Sequence, residues 1–241
     1  IVAGHKGEFA AIVMEPIRDH EPEAGFLEGV RRIADETGAV FIFDEVSSGF
    51  RMNTGGVHLK FRINPDIAVL SKAMGNGYPI AAVIGKGAVM DAVQTSFISS
   101  TMWSERVGPA AALATIRKHQ ALNVGAHLVQ IGQAIQDGWK SIAQKHHLPV
   151  TVGGIPPLSH LTFDVEDRQA VNAFFVQQML DQEYLASTSF YSMYAHQMSH
   201  VDMYLKAIDI VFGEIREAIN AGNVRKCLKG VPASEGFKRL T

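Results

Sequence analysis

The amino-acid sequence predicts an α/β fold, a three-layer sandwich around a mostly parallel sheet, followed by a smaller α/β unit. Three observations predict it. Residues 40–44 and 65–70 are apolar runs that stop at a polar group, the pattern of strands buried on both faces. A helical repeat over residues 25–37 separates the first of these runs from an earlier one at 9–14. That alternation of strand and helix suits parallel strands joined by right-handed crossovers. Finally, residues 122–147 form one long amphipathic stretch, after which strand and helix patterns resume.

Taken in order, the first strand ends at Glu15-Pro16, because proline cannot donate to a ladder. Residues 18–25 form a polar loop. Over 25–37, Phe26, Leu27, Val30, Ile33 and Ala34 share a helical face, and Gly38 is the stop signal. The second strand delivers Asp44 at its carboxyl end. Residues 52–63, with Gly55-Gly56, read as a loop with a helical turn, and His58 within it as a surface residue. The third strand leads to Ser71-Lys72, and a fourth follows at 80–84 with a short helix at 86–93. Hydroxyl-rich Phe97-Ile98-Ser99-Ser100-Thr101-Met102-Trp103-Ser104 precedes a helix at 107–117. Hydroxyls and backbone N–H groups ahead of a helix make an anion seat, and Thr101 on its own reads as a helix cap. The long helix carries Leu128, Ile131, Ile135, Trp139 and Ile142 at helical spacing, and His146-His147 at its end complements the helix terminus. Beyond it come a strand at 158–164, a helix at 168–182, strand pieces at 184–186 and 189–190, and a helix at about 201–220. The expected division is therefore residues 1–120 and 121–241, the second opening on the linking helix.

Composition excludes several classes. With 241 residues and 47% apolar content the chain can bury a substantial core. The 22 basic and 24 acidic residues give a net charge of -2 with no long single-sign run, which argues against nucleic acid and against an anionic membrane surface. No 18-residue apolar stretch exists, and the start Ile1-Val2-Ala3-Gly4-His5-Lys6 does not read as a signal peptide. Cys227 is the single cysteine, so no internal disulfide forms, which suits a cytoplasmic protein. His196 and His200 have zinc spacing but lack a third ligand, and no metal is expected. Gly75-Asn76-Gly77 has Ile80 where a dinucleotide loop needs its third glycine.

The chemistry rests on Asp44 and Lys72. Ligands of open α/β sheets sit beyond the carboxyl ends of the strands, so both groups are expected at one crevice. An amine and a carboxylate aimed at the same small molecule suit a pyridine ring bearing an aldehyde. The lysine condenses with the aldehyde as a Schiff base, and the carboxylate keeps the ring nitrogen protonated. That is pyridoxal phosphate chemistry. In isolation these residues also fit a strand-end cap and a surface lysine, but the glycine-punctuated turn after Lys72 brings backbone close to whatever the lysine holds. The competing readings are a cofactor-free lysine aldolase and a non-catalytic assembly partner.

Phe43-Asp44-Glu45-Val46 with Gly49-Phe50-Arg51, then Pro65-Asp66 and Ser71-Lys72-Ala73-Met74-Gly75-Asn76-Gly77-Tyr78-Pro79, resemble the signature of the class III aminotransferases. These are fold-type I pyridoxal phosphate enzymes, and the sequence is most similar to the glutamate-1-semialdehyde aminomutase branch. The resemblance extends from about residue 8 to about residue 220. It implies pyridoxal 5'-phosphate as cofactor, Lys72 and Asp44 as catalytic residues, and an amino donor and a keto or aldehyde acceptor as partners. It further implies Val46 against one face of the pyridine ring, on the same side as Asp44 if the strand alternation continues. Glu15 is expected near the cofactor, and Thr101 across the interface of a homodimer at the other subunit's cofactor phosphate. The phosphate-gripping loop and stacking aromatic of the family have no counterpart here, so the chain resembles the C-terminal portion of such an enzyme, with residues 1–120 part of its cofactor-binding large domain. Residues 184–190 and 194–196 resemble the stretch that closes over substrate. Tyr191 stands where the aminomutase branch places an acid, which argues against glutamate-1-semialdehyde as the substrate.

Overall fold

The computed structural model describes residues 2–5, 7–99, 101–102 and 104–232, and the chain divides into two compact units, 1–127 and 128–241. The first is built on strands β1 (Ala11–Met14), β2 (Val40–Asp44), β3 (Ile67–Leu70) and β4 (Ala82–Gly85), in that order across one sheet. The first three run parallel and β4 is antiparallel to β3. The exception follows from chain length: residues 71–81 are too few for a crossover, so the chain returns beside β3 in the opposite sense.

Helix α1 (Phe26–Thr37) joins β1 to β2, entered at Gly25 and left at Gly38, both in the left-handed region with φ of 82° and 73°. Its Leu27 and Ala34 close over Phe41 and Phe43, with Ile12 and Met14 at the margin and Phe61 and Ile63 beside the short helix α2 (His58–Phe61). Phe26, expected on this face, is exposed because it opens the helix before the buried stripe begins. The other face of the sheet is not covered to the same degree. Val40, Ile42, Ile67 and Val69 are partly exposed, and Val13 is 64% and Val83 53% exposed.

Asp66 fastens this sheet. Its carboxylate accepts from the backbone N–H of Phe41 at 2.8 Å, from Arg31 of α1 at 3.0 Å, and from Lys86 beyond β4 at 2.7 Å. Burial alone would raise the Asp66 carboxyl; the bonds from Lys86, Phe41 and Arg31 outweigh it and leave it below the ordinary carboxylate value. After α3 (Gly87–Met90), helix α4 (Val107–Ala121) places Ala112 and Ile116 against Phe50, Leu70 and Met74.

Asn123, with φ of 47°, breaks the helical path between α4 and α5 (Val124–Lys145), so the expected helix from residue 122 begins slightly later. In the second unit the antiparallel sheet β5 (Val150–Gly153), β6 (Leu158–Phe163) and β7 (Ser189–Tyr191) packs on α6 (Arg168–Asp181) and α7 (Met198–Asn220). Phe163, Phe175 and Phe212 meet at its centre with ring separations of 5.7 to 6.3 Å, beside Ile131, Ile135 and Trp139 of α5. Residues 184–186 form no strand, and β5, unanticipated, is a four-residue edge. His146 finds a more specific partner than a helix dipole: it shares Asp209 of α7 with Lys145, at 2.7 and 2.6 Å. Among the described residues no helix is long and apolar enough to cross a membrane.

Asp66→Asn weakens one ion pair that is largely shielded from water, to Arg31, and a second to the half-exposed Lys86, and is expected to lower the unfolding free energy by about 1–3 kcal/mol in urea titration. Because the folded carboxyl lies below its ordinary value, the native Asp66 contribution is full above about pH 4 and fades as acid protonates it.

Candidate active site

The register brings three of the predicted positions, Glu15, Asp44 and the segment that carries Lys72, to one edge. Met14 pairs with Phe43 and Asp44 with Val69, so Glu15, Asp44 and the segment after Leu70 all emerge at the carboxyl ends of adjacent parallel strands. Phe41 and Phe43 face α1; by alternation Asp44 takes the opposite, more open face. Its Oδ1 accepts from the Val46 backbone N–H at 3.0 Å, and among the described residues Oδ2 carries no such bond. β2 stops at Asp44, so the strand alternation that would place Val46 on the same side does not extend to it; Val46 lies in the turn that follows. The Glu15 carboxylate pairs with Arg18 at 3.0 Å.

Lys72 opens a 3-10 turn (Lys72–Met74) with φ of 43°, a left-handed conformation uncommon for a residue with a side chain. Its carbonyl accepts from Gly75 and Asn76 at 3.1 Å, while Ser71 Oγ donates to Ile80 O at 2.8 Å and closes the loop from the other side. Gly75 is required there, since a Cβ would meet Tyr78 O at 2.2 Å. The Lys72 side chain is exposed, and its Nζ donates to Ser47 Oγ at 2.6 Å. Lysine and aspartate are thus linked through a turn that starts where the aspartate's strand ends.

That turn is held by Glu45, a residue the sequence reading left without a role. Its carboxylate is 0% exposed and accepts from the backbone N–H groups of Val57 and His58, from His58 Nδ1, and from Ser48 Oγ. His58 is therefore no surface residue; its side chain is 12% exposed and turned onto a carboxylate. The sequence signal was present: an acid directly after the end of an apolar strand, with Gly55-Gly56 ahead of two available amides. His119 of α4 locks the same region, with Nε2 donating to Phe50 O at 3.1 Å and Nδ1 bonded to the Thr54 hydroxyl at 2.8 Å. Burial holds this imidazole below its ordinary value, and the Phe50 bond opposes the shift only in part.

Thr101 lies in an exposed turn ahead of α4, while Ser100 and Trp103 of that segment lie outside the described residues. The anion seat expected at this helix start is filled by the chain itself. Glu105 accepts from Val107 N at 2.5 Å and Gly108 N at 3.0 Å, bonds that hold its carboxyl below the ordinary value. In the second unit, Tyr184, Phe190, Tyr191, His196, His200 and Tyr204 line a cavity of about 560 Å³. Nδ1 of His196 and of His200 each accepts a backbone N–H at 3.1 Å.

The fold is that of the transaminases. The chain matches the FumI protein of Sphingopyxis sp. MTA144, solved in its PLP internal aldimine form, with a TM-score of 0.82 and 25% identity over 91% of this chain and 55% of that one. An omega-transaminase from Sphaerobacter thermophilus matches with a TM-score of 0.80 and 22% identity, over 89% of this chain and 54% of that one. Residues 2–188 match the family described as aminotransferase class-III, and the chain belongs to that family. It is 30% identical over 211 residues to a 2'-deamino-2'-hydroxyneamine transaminase of Streptomyces kanamyceticus, covering 88% of this chain and 54% of the relative. The chain thus spans about half the length of the relatives it matches.

Glu45→Ala leaves two backbone donors and an imidazole without their acceptor, and is expected to destabilise the first unit by about 2–5 kcal/mol in chemical denaturation. For His119 the unfolded chain takes up a proton near pH 6.5 and the folded chain only at lower pH, so stability falls as pH drops below 6.5. His119→Asn should flatten that part of the curve of urea midpoint against pH.

Proposed function

We propose that this chain carries the lysine of a class III aminotransferase that moves an amino group from an amino donor to a keto or aldehyde acceptor, with pyridoxal 5'-phosphate as cofactor. One observation carries the reading: Asp44 and Lys72 emerge at the carboxyl ends of neighbouring parallel strands, and the lysine amine is fixed at the turn that begins beside the aspartate. The donor set fits the cofactor, an amine for its aldehyde carbon and an acceptor oxygen, Asp44 Oδ2, for its ring nitrogen. When bound, the cofactor supplies a sink for the electrons released at the carbon bearing the amino group.

The chain's own residues do the rest. Lys72 Nζ would hold the cofactor through its aldehyde carbon and, once freed by the donor amine, would take and return the proton at the reacting carbon. Asp44 would accept from the protonated ring nitrogen and favour the positive charge there. In this reading Val46 would pack against the ring, Glu15 would stand beside it, and Thr101 would contact the cofactor phosphate of a second subunit. Homodimerisation draws support from Phe97, Ile98 and Met102, which are exposed around Thr101, Phe97 to 96%. Tyr191, where the aminomutase branch has an acid, favours transfer between two molecules over a shift within glutamate-1-semialdehyde. The exposed free thiol of Cys227 suits a reducing, cytoplasmic setting.

Addition of pyridoxal phosphate should produce a visible absorbance band, and borohydride should fix the cofactor on the peptide that contains Lys72. Lys72→Ala should abolish both band and turnover, and Asp44→Ala should lower kcat by about 10²–10³-fold. Absence of the band in the unaltered protein would favour the assembly-partner reading, which the partly open face of the first sheet supports.

A further inference from the structure

We infer that Ser47 is a positioning residue for Lys72, the group that receives the lysine amine whenever that amine is not bonded to cofactor. The inference rests on the reading of Lys72 given above and adds a residue to it. Ser47 Oγ lies 2.6 Å from Lys72 Nζ, although 25 residues separate the two in sequence.

Both ends of this contact stand on fixed backbone. On the serine side, Gly49 N donates to Glu45 O at 2.9 Å, Arg51 N to Ser48 O at 3.3 Å, and Arg51 Nε to Ser47 O at 3.3 Å. Gly49 lets this turn close directly on β3, for a Cβ there would stand 2.6 Å from Leu70 Cδ2 and 2.8 Å from Glu45 O. The turn bearing Ser47 therefore packs against the residue two positions before Lys72. On the lysine side, the left-handed backbone of Lys72 is anchored by the two amides that donate to its carbonyl.

The chemistry follows from the direction of the bond. A lysine side chain has four rotatable links and about 2 kcal/mol of rotamer freedom to lose, so an unheld amine spends most of its time away from a reacting carbon. Ser47 accepts one N–H and leaves the nitrogen lone pair of the neutral amine unengaged. The amine is held in place without being consumed, ready to attack a carbonyl carbon or to take a proton. Attack forms one C=N bond and releases one water, with both amine hydrogens leaving, so the Ser47 contact must open as the covalent link forms.

The test follows capture of pyridoxal phosphate by the cofactor-free, full-length protein, using borohydride quenching at successive times and mass spectrometry of the Lys72 peptide. Ser47→Ala should slow capture at Lys72 about tenfold, the scale of one lost hydrogen bond, while exposed Lys60 in the same digests reacts unchanged. Ser47→Thr, which keeps the hydroxyl, should restore capture to within about threefold, a rescue that a purely structural role would not give. Should Ser47→Ala fail to fold, Ser47→Cys retains the volume with a weak acceptor and should show the same slowing. Capture at Lys72 in the Ala or Cys variant within about twofold of the unaltered protein overturns the inference while the lysine's own role stands. So does a Thr variant as slow as Ala. No capture at Lys72 in the unaltered protein removes both.

Discussion

The chemistry-bearing edge of the first unit depends on a carboxylate that water does not reach. Removing Glu45 from solvent is unfavourable unless its oxygens find donors, and here they find two backbone amides, an imidazole and a hydroxyl. Those donors come from residues 48, 57 and 58, so satisfying one side chain closes a loop of a dozen residues back onto the strand end. Glu45 also donates its own N–H to Val69 O, which stitches the end of β2 to the end of β3. Asp44 and Ser47, on either side of Glu45, inherit their places from this knot.

A second constraint operates on the neighbouring strand. A non-glycine residue in the left-handed region costs roughly 1–2 kcal/mol, and Lys72 adopts it where glycine would be free to. Glycine would relieve the strain and remove the amine. The surrounding bonds, from Gly75, Asn76 and Ser71, over-determine the loop and hold a conformation that the lysine alone would leave. Strain maintained at a residue with a reactive terminus is the pattern of a site whose geometry matters more than its local stability.

Much of this was legible in the amino-acid order. The strand ends at Asp44 and before Lys72 follow from apolar runs broken by polar groups, and α1 from its stripe of Leu27, Val30 and Ala34 between two glycines. What escaped depends on contacts across the chain. His58 has polar neighbours and looks solvated until Glu45, 13 residues earlier, is placed beneath it. Glu105 looks like one more surface acid until the start of α4 turns two amides toward it. The four residues of β5 carry too little periodicity to mark a strand by themselves, and gain their identity only from pairing with β6. Residues 184–186 have strand composition, but Ala186 N turns back to Tyr184 O at 3.0 Å and Tyr184 N caps the preceding helix at Met179 O, so they form no strand.

The two units also differ in how completely they satisfy their own burial. The second has a closed aromatic centre in which Phe163, Phe175 and Phe212 meet beneath two long helices, and its ion pairs join elements of that unit to one another. In the first, the face of the sheet that carries Asp44 also carries Val13 and Val83, both more than half exposed. An apolar sheet face left open is a liability unless something covers it, and here it adjoins the edge where a ligand would sit. Closing that face would lower the effective dielectric around Asp44 and strengthen any interaction the carboxylate makes with a cationic ring nitrogen. Coverage of the sheet and the field around Asp44 are therefore one problem: anything that buried Val13 and Val83 would also strengthen the electrostatic interactions of the Asp44 carboxylate.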